Sequence, residues 1–174
     1  ERSVAIRGNL GFSPGSGVNI EWNTSYTKQH ITNTPAGDNA QGVTLNAWRP
    51  TTSYTGTVPS LRETINDLLN FEIDTYIDHF TTGLTLRHLL GERFDQRLAV
   101  GYDRSYTEGR NYRPFGFRLQ PAGVISDSRW VGEILTLDYA GSYTQPLGST
   151  LETTFSAGGQ IVETEETSVI GYAE

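Results

Sequence analysis

Six stretches of this chain alternate apolar and polar residues with period two, and one face of each lacks Asp, Glu, Lys and Arg over the length that a barrel strand needs to cross a bilayer. Period two is the signature of a β-strand, whose successive side chains point to opposite faces. In the first stretch Val4, Ile6, Leu10 and Phe12 share a face against Ser3, Ala5, Arg7 and Asn9. In the second, Val18, Ile20, Trp22, Thr24 and Tyr26 oppose Asn19, Glu21, Asn23, Ser25 and Thr27. The third sets Tyr76, Phe80, Thr82, Leu84, Leu86 and Leu90 against Ile77, His79, Thr81, Thr85 and Arg87. In the fourth, Phe94, Leu98, Val100 and Tyr102 face away from Asp95, Arg97, Ala99 and Asp103. The fifth sets Leu135, Leu137, Tyr139 and Tyr143 against Thr136, Asp138, Ser142 and Thr144. The sixth sets Leu151, Phe155, Ala157 and Ile161 against Glu152, Thr154, Ser156 and Gln160.

The placement of charge separates a lipid-facing strand from one in a soluble sandwich, which alternates as well. A barrel strand needs about 9–11 residues to cross the hydrocarbon. Counted from the short turns, charge returns to the apolar faces just past that length, at Lys28, Asp78, Arg104, Glu133 and Glu163. A charge facing the bilayer centre costs about 2–4 kcal/mol and far less near the interface. Arg7, Glu21, Arg87, Asp95, Arg97, Asp138 and Glu152 fall inside the window but on the other face, where a wet lumen would solvate them. Phe12, Phe94 and Tyr143 mark one end of the window and Tyr26, Phe80 and Tyr102 the other. Amphipathic rings of this kind form the girdles of a membrane barrel. His88, on the apolar face near the short-turn end, fits only an interfacial, neutral role.

The connections alternate in length. Short turns are expected at 13–17 and 146–149, rich in Gly, Pro and Ser, and around Gly91-Glu92. Long loops are expected over 32–70 and 109–130. The first contains a capping-box spacing, Ser60-Leu61-Arg62-Glu63 after Pro59, with Ile65, Leu68 and Leu69 as an apolar edge, and so predicts a short helix. The expected architecture is all-β: an antiparallel up-and-down transmembrane β-barrel sector of six strands in three hairpins, with that helix in the first long loop. About eight strands are the minimum for closure. The chain, 1–174, is therefore expected to be a partial barrel domain, internally cut, without a signal peptide.

Composition excludes several function classes. Net charge is −7, whereas phosphate binding needs clustered Lys and Arg, so nucleic acid is not an expected partner. Cysteine is absent, which removes disulfides and thiolate chemistry. Mean hydropathy is −0.42, and no apolar run approaches the roughly 20 residues of a membrane helix. A barrel strand, offering lipid every second residue, escapes that test. His30, His79 and His88 lack the spacing of metal ligands on one strand face, so neither metal nor cofactor is expected. Gly15-Ser16-Gly17 lacks the context of a nucleophile elbow, Gly158-Gly159 lacks that of a phosphate loop, and no catalytic function is expected. The binding candidates are loop residues mixing aromatic and basic groups: Trp48, Arg49, Tyr54, Tyr112, Arg113, Phe115, Phe117 and Trp130. Packing of the loops on themselves is the alternative role for each.

Several runs carry a family resemblance. Arg97-Leu98-Ala99-Val100-Gly101-Tyr102-Asp103 is followed by Glu108-Gly109-Arg110-Asn111-Tyr112-Arg113-Pro114-Phe115-Gly116. Leu135-Thr136-Leu137-Asp138-Tyr139-Ala140-Gly141-Ser142-Tyr143 comes next, then Phe155-Ser156-Ala157-Gly158-Gly159-Gln160 with Thr167-Ser168-Val169-Ile170-Gly171. The opening Asn9-Leu10-Gly11-Phe12-Ser13-Pro14 and Val18-Asn19-Ile20 is similar to a hairpin of the same group. Together these runs resemble the barrel region of SusC/RagA-type TonB-dependent outer-membrane transporters. The resemblance implies a barrel of about 22 strands with an N-terminal plug, located in a Gram-negative outer membrane. It further implies a TonB complex engaged through the N-terminal region, outer-membrane lipid around the wall, a surface lipoprotein lid in many members, and a large nutrient ligand such as a glycan, peptide or chelate. This chain has neither plug nor TonB box. Two other readings stand beside it: a small standalone outer-membrane barrel of structural or adhesive role, which needs further strands at 42–48 and 52–58, and a soluble β-rich binding domain.

Overall fold

The computed structural model describes residues 1–35, 42, 69–117 and 120–174. Within them lie six β-strands: β1 (Arg2–Gly15), β2 (Val18–Asn33), β3 (Glu72–Leu90), β4 (Phe94–Arg113), β5 (Val124–Pro146) and β6 (Glu152–Ala173). All pair antiparallel in one sheet of order β1-β2-β3-β4-β5-β6, so every strand lies beside its neighbours in the chain. The sheet is not closed, and β1 and β6 each keep one unpaired edge. The strands lengthen from 14 residues in β1 to 23 in β5, well beyond the mode of about 5–6.

The three tight connections, 16–17, 91–93 and 147–151, stand at one end of the sheet. Gly17, Gly91 and Gly148 take positive φ there, a conformation that glycine adopts without a Cβ penalty. At the other end, β2 is joined to β3 through 34–71 and β4 to β5 through 114–123. The second long connection is thus shorter than the 109–130 expected, because β4 and β5 pair up to Arg113 and Val124. The expected helix lies outside the described residues except for Leu69, as do the further strands considered at 42–48 and 52–58 except for Gly42.

Among the described residues the buried hydrophobic side chains are Phe71, Phe117 and Val124, all at the long-loop end. The body of the sheet has no second layer packed on it within that set, and its apolar residues stand open: Leu10 is 65% and Ile161 66% exposed.

Candidate functional site: two faces and a folded tip

The register brings the alternating residues of all six strands into common rows. Leu10, Trp22, Leu84, Val100, Leu137 and Ile161 face one another in sequence across the sheet. The next row toward the turns is Phe12, Ile20, Leu86, Leu98, Tyr139 and Gly159, and the next toward the loops is Gly8, Thr24, Thr82, Tyr102, Leu135 and Glu163. One face is therefore a continuous apolar band. Its polar side chains bond within the band: Trp22 Nε1 donates to Thr82 Oγ1 at 2.9 Å. His88 pairs with Gln96, its Nδ1 lying 3.0 Å from Gln96 Nε2, in the row nearest the first turn.

Above the band, charge enters as cross-strand pairs. Lys28 Nζ stands 3.7 Å from Asp78, which also accepts from Tyr26 Oη at 2.6 Å. Arg104 Nε lies 2.9 Å from Glu133. This boundary is oblique. The row through Lys28 and Asp78 continues to Tyr106, Val131 and Thr167, whereas the first charge on β6, Glu163, stands deeper. The turns step in the same sense. Leu89 N donates to Gly17 O at 2.6 Å, placing the first turn beside β3 before that strand ends, and Thr144 N donates to Arg93 O at 2.8 Å, placing the second beside β5 in the same way. Both margins of the band thus descend together from β1 to β6. About one residue per strand, or roughly 3.3 Å along for 4.8 Å across, corresponds to a tilt of about 35° between strand and band normal.

The opposite face is polar. His79 Nε2 lies 2.8 Å from Asp103, and Arg97 is ion-paired with Asp138. Ser25 with Thr81, Ser142 with Ser156 and Thr144 with Thr154 form hydroxyl pairs across neighbouring strands. The Asp95, Arg97, Asp103 and Asp138 set lines this face as a wall of side chains, and two of its aspartates are held by basic partners. Among the described residues, no three His, Cys, Asp or Glu side chains converge as metal ligands would.

Beyond the charged boundary β3, β4 and β5 continue as a ribbon polar on both sides. Arg129 and Arg110 stand 4.0 Å from Glu108 and Asp127. Tyr106 Oη donates to Glu108 at 2.7 Å, a bond that, with some desolvation, raises the phenol above its ordinary pKa. Asp74 is held below the usual carboxylate range, first by the Thr32 hydroxyl at 2.6 Å, then by His30 at 2.8 Å and the charge of Arg110, against an opposing desolvation. The His30 ring stacks on Tyr76 at 4.3 Å.

The described residues of the tip, 114–117 and 120–123, close the end of the ribbon through Phe117 and Gln120. Phe117 meets Phe71 edge-on at 6.1 Å, and the Arg113 guanidinium covers the Phe71 ring at 4.4 Å while bonding Gln120. Of the binding candidates, Arg113 and Phe117 are therefore joined in the packing of the tip. Tyr112 lies under Arg110 at 5.5 Å on the other side of the ribbon. Phe115 projects from the tip at 88% exposure. Trp130 belongs to β5 rather than to a loop and stands on the polar face, opposite Thr107 and Ser168. Its ring lies over Gly132, where a Cβ would meet it at 2.6 Å. Trp48, Arg49 and Tyr54 lie outside the described residues. Sequence reasoning missed the cross-strand ion pairs of the ribbon, because pairing Glu108 with Arg129 and Arg110 with Asp127 requires the register.

No helix is long and apolar enough to cross a membrane among the described residues. No family model matches the chain, and no curated protein matches it. Among solved structures, the ferric-catecholate import receptor Fiu from E. coli K12, in its open form, aligns with a TM-score of 0.29 and 9% identity. The alignment covers 98% of this chain and 32% of that one, so the chain spans about a third of the receptor's length.

Proposed function

We propose that this chain forms part of the wall of an outer-membrane β-barrel, its apolar face toward lipid, its polar face toward a wet lumen and its tips toward the exterior. The observation that carries this reading is the charge-free band running unbroken across six strands between two parallel, oblique margins. Barrel strands cross the bilayer tilted by about 35–45°, so a bilayer cuts their register rows obliquely and both margins slant alike. A soluble protein rarely leaves a contiguous apolar patch above a few hundred Å² uncovered.

Within that class, the resemblance of the barrel runs favours a TonB-dependent receptor of the SusC/RagA type that imports a large nutrient ligand. Phe115, with Tyr112 and the aromatic and basic residues of the first loop, then belongs to the outer recognition surface, and Trp130 to the lumen below it. The parent protein, with whatever precedes and follows these residues, is the subject of the test. Expressed in an outer-membrane host, it migrates differently in boiled and unboiled gel samples and supports ligand uptake that depends on TonB. Uptake that persists without TonB sinks the transport assignment while leaving the barrel. Identical migration in both samples, with the protein in the soluble fraction, sinks both.

A further inference from the structure

We infer that the free edge of β6 is built to receive one antiparallel strand with lysine or arginine in its loop-side half. The inference does not depend on which face meets lipid. β6 runs from Glu152 to Ala173 and, among the described residues, pairs with β5 alone. An edge of this length presents a row of unpaired backbone donors and acceptors, which is a template for another strand. Charge specifies which strand. β6 contains four glutamates and no lysine or arginine, and three of them, Glu163, Glu165 and Glu166, crowd its loop-side half.

Nothing on the β5 side compensates them. Glu165 stands directly opposite Glu133, a like-charge pair that destabilises a sheet. Glu133 is already engaged by Arg104 at 2.9 Å. Glu163 faces Leu135, and Glu166 faces Gly132. Among the described residues no ion pair reaches any of the three. The interior seams behave differently at the same height. Lys28 answers Asp78 between β2 and β3, and Arg104 answers Glu133 between β4 and β5. The basic partners of β6 therefore come from its open side. Two of them meet Glu163 and Glu165 on the apolar face, at its margin, and the third meets Glu166 on the polar face.

The test titrates the 174-residue chain, refolded in detergent and accepted on a β-sheet circular dichroism spectrum, with two labelled synthetic strand peptides, read by fluorescence anisotropy. The peptides share length and apolar pattern and differ only at the three positions that meet Glu163, Glu165 and Glu166, with Lys in one and Glu in the other. The Lys peptide binds about tenfold tighter, from three cross-strand charge pairs. Its advantage shrinks as salt rises, a readout that needs no variant. In the chain carrying E163Q, E165Q and E166Q, with its circular dichroism unchanged, the two peptides bind alike. Equal binding to the unmodified chain, or a preference that survives the triple substitution, overturns the inference. Failure of the chain to enter bilayers bears only on the wall reading.

Discussion

Gly17 and Leu137 show how single residues divide between shaping the sheet and matching its surroundings. Gly17 sits at φ 82°, and a Cβ there would stand 2.4 Å from Leu89 O. Gly17→Ala is therefore expected to cost about 1–3 kcal/mol through strain and contact together. Gly91→Ala, also at positive φ but with open space around it, is expected to cost about 1–2 kcal/mol from backbone conformation alone. Urea unfolding midpoints of the two variants, measured in the same detergent, check that order. Leu137 lies in the middle row of the apolar band, and its neighbour Thr136 points to the polar face. In a bilayer Leu137→Arg is expected to cost about 2–4 kcal/mol, whereas Thr136→Arg stays within about 0.5 kcal/mol. Equal costs at the two positions would remove the distinction between the faces.

At the scale of strands and hairpins, the ribbon beyond the band has its own stability. Asp74 joins β2 to β3 through Thr32 and His30. Its folded-state pKa is depressed, so its contribution is complete above the unfolded carboxylate value of about 3.9. That contribution is lost as pH falls through the lower folded value. Amides at 30–33 and 73–76 are expected to exchange faster under those acid conditions, and Asp74→Asn should remove that acid dependence. An unchanged acid response in Asp74→Asn would assign the effect to other groups. Phe117→Ala is expected to speed exchange across 114–117 and 120–123 more than across the band, because Phe117 is buried against Phe71 at the long-loop end. Hydrogen exchange by mass spectrometry reads both. The same ribbon marks where the sequence stops being legible. Within the band one face is apolar, so Leu98, Val100 and Tyr102 alternate visibly with Arg97, Ala99 and Asp103. Past Arg104 both faces carry polar groups: Glu108, Arg110, Asp127 and Arg129 are held by pairs across the register. No hydrophobic period remains to reveal a strand. That is why Tyr112, Arg113 and Trp130 read as loop residues and stand on strands. Arg113 and Phe117 were legible as an aromatic and basic set, but their shared packing on Phe71 depends on a residue of a distant connection.

At the scale of the molecule, the described residues form a sheet with two unlike faces and two unpaired edges, and both properties look outward. The strand order follows the chain, so the faces were readable from alternation alone. Closure was not, because it requires neighbours for β1 and β6 that these residues do not supply. The central claim is that the apolar band meets lipid, and consecutive positions along β4 test it most directly. A fluorophore placed in turn on cysteine at positions 97, 98, 99 and 100, in protein reconstituted into vesicles containing brominated lipid, reports which side chains touch acyl chains. Strong quenching at 98 and 100 with little at 97 and 99 is the predicted result. Uniform quenching, or none at any of the four, would contradict the account.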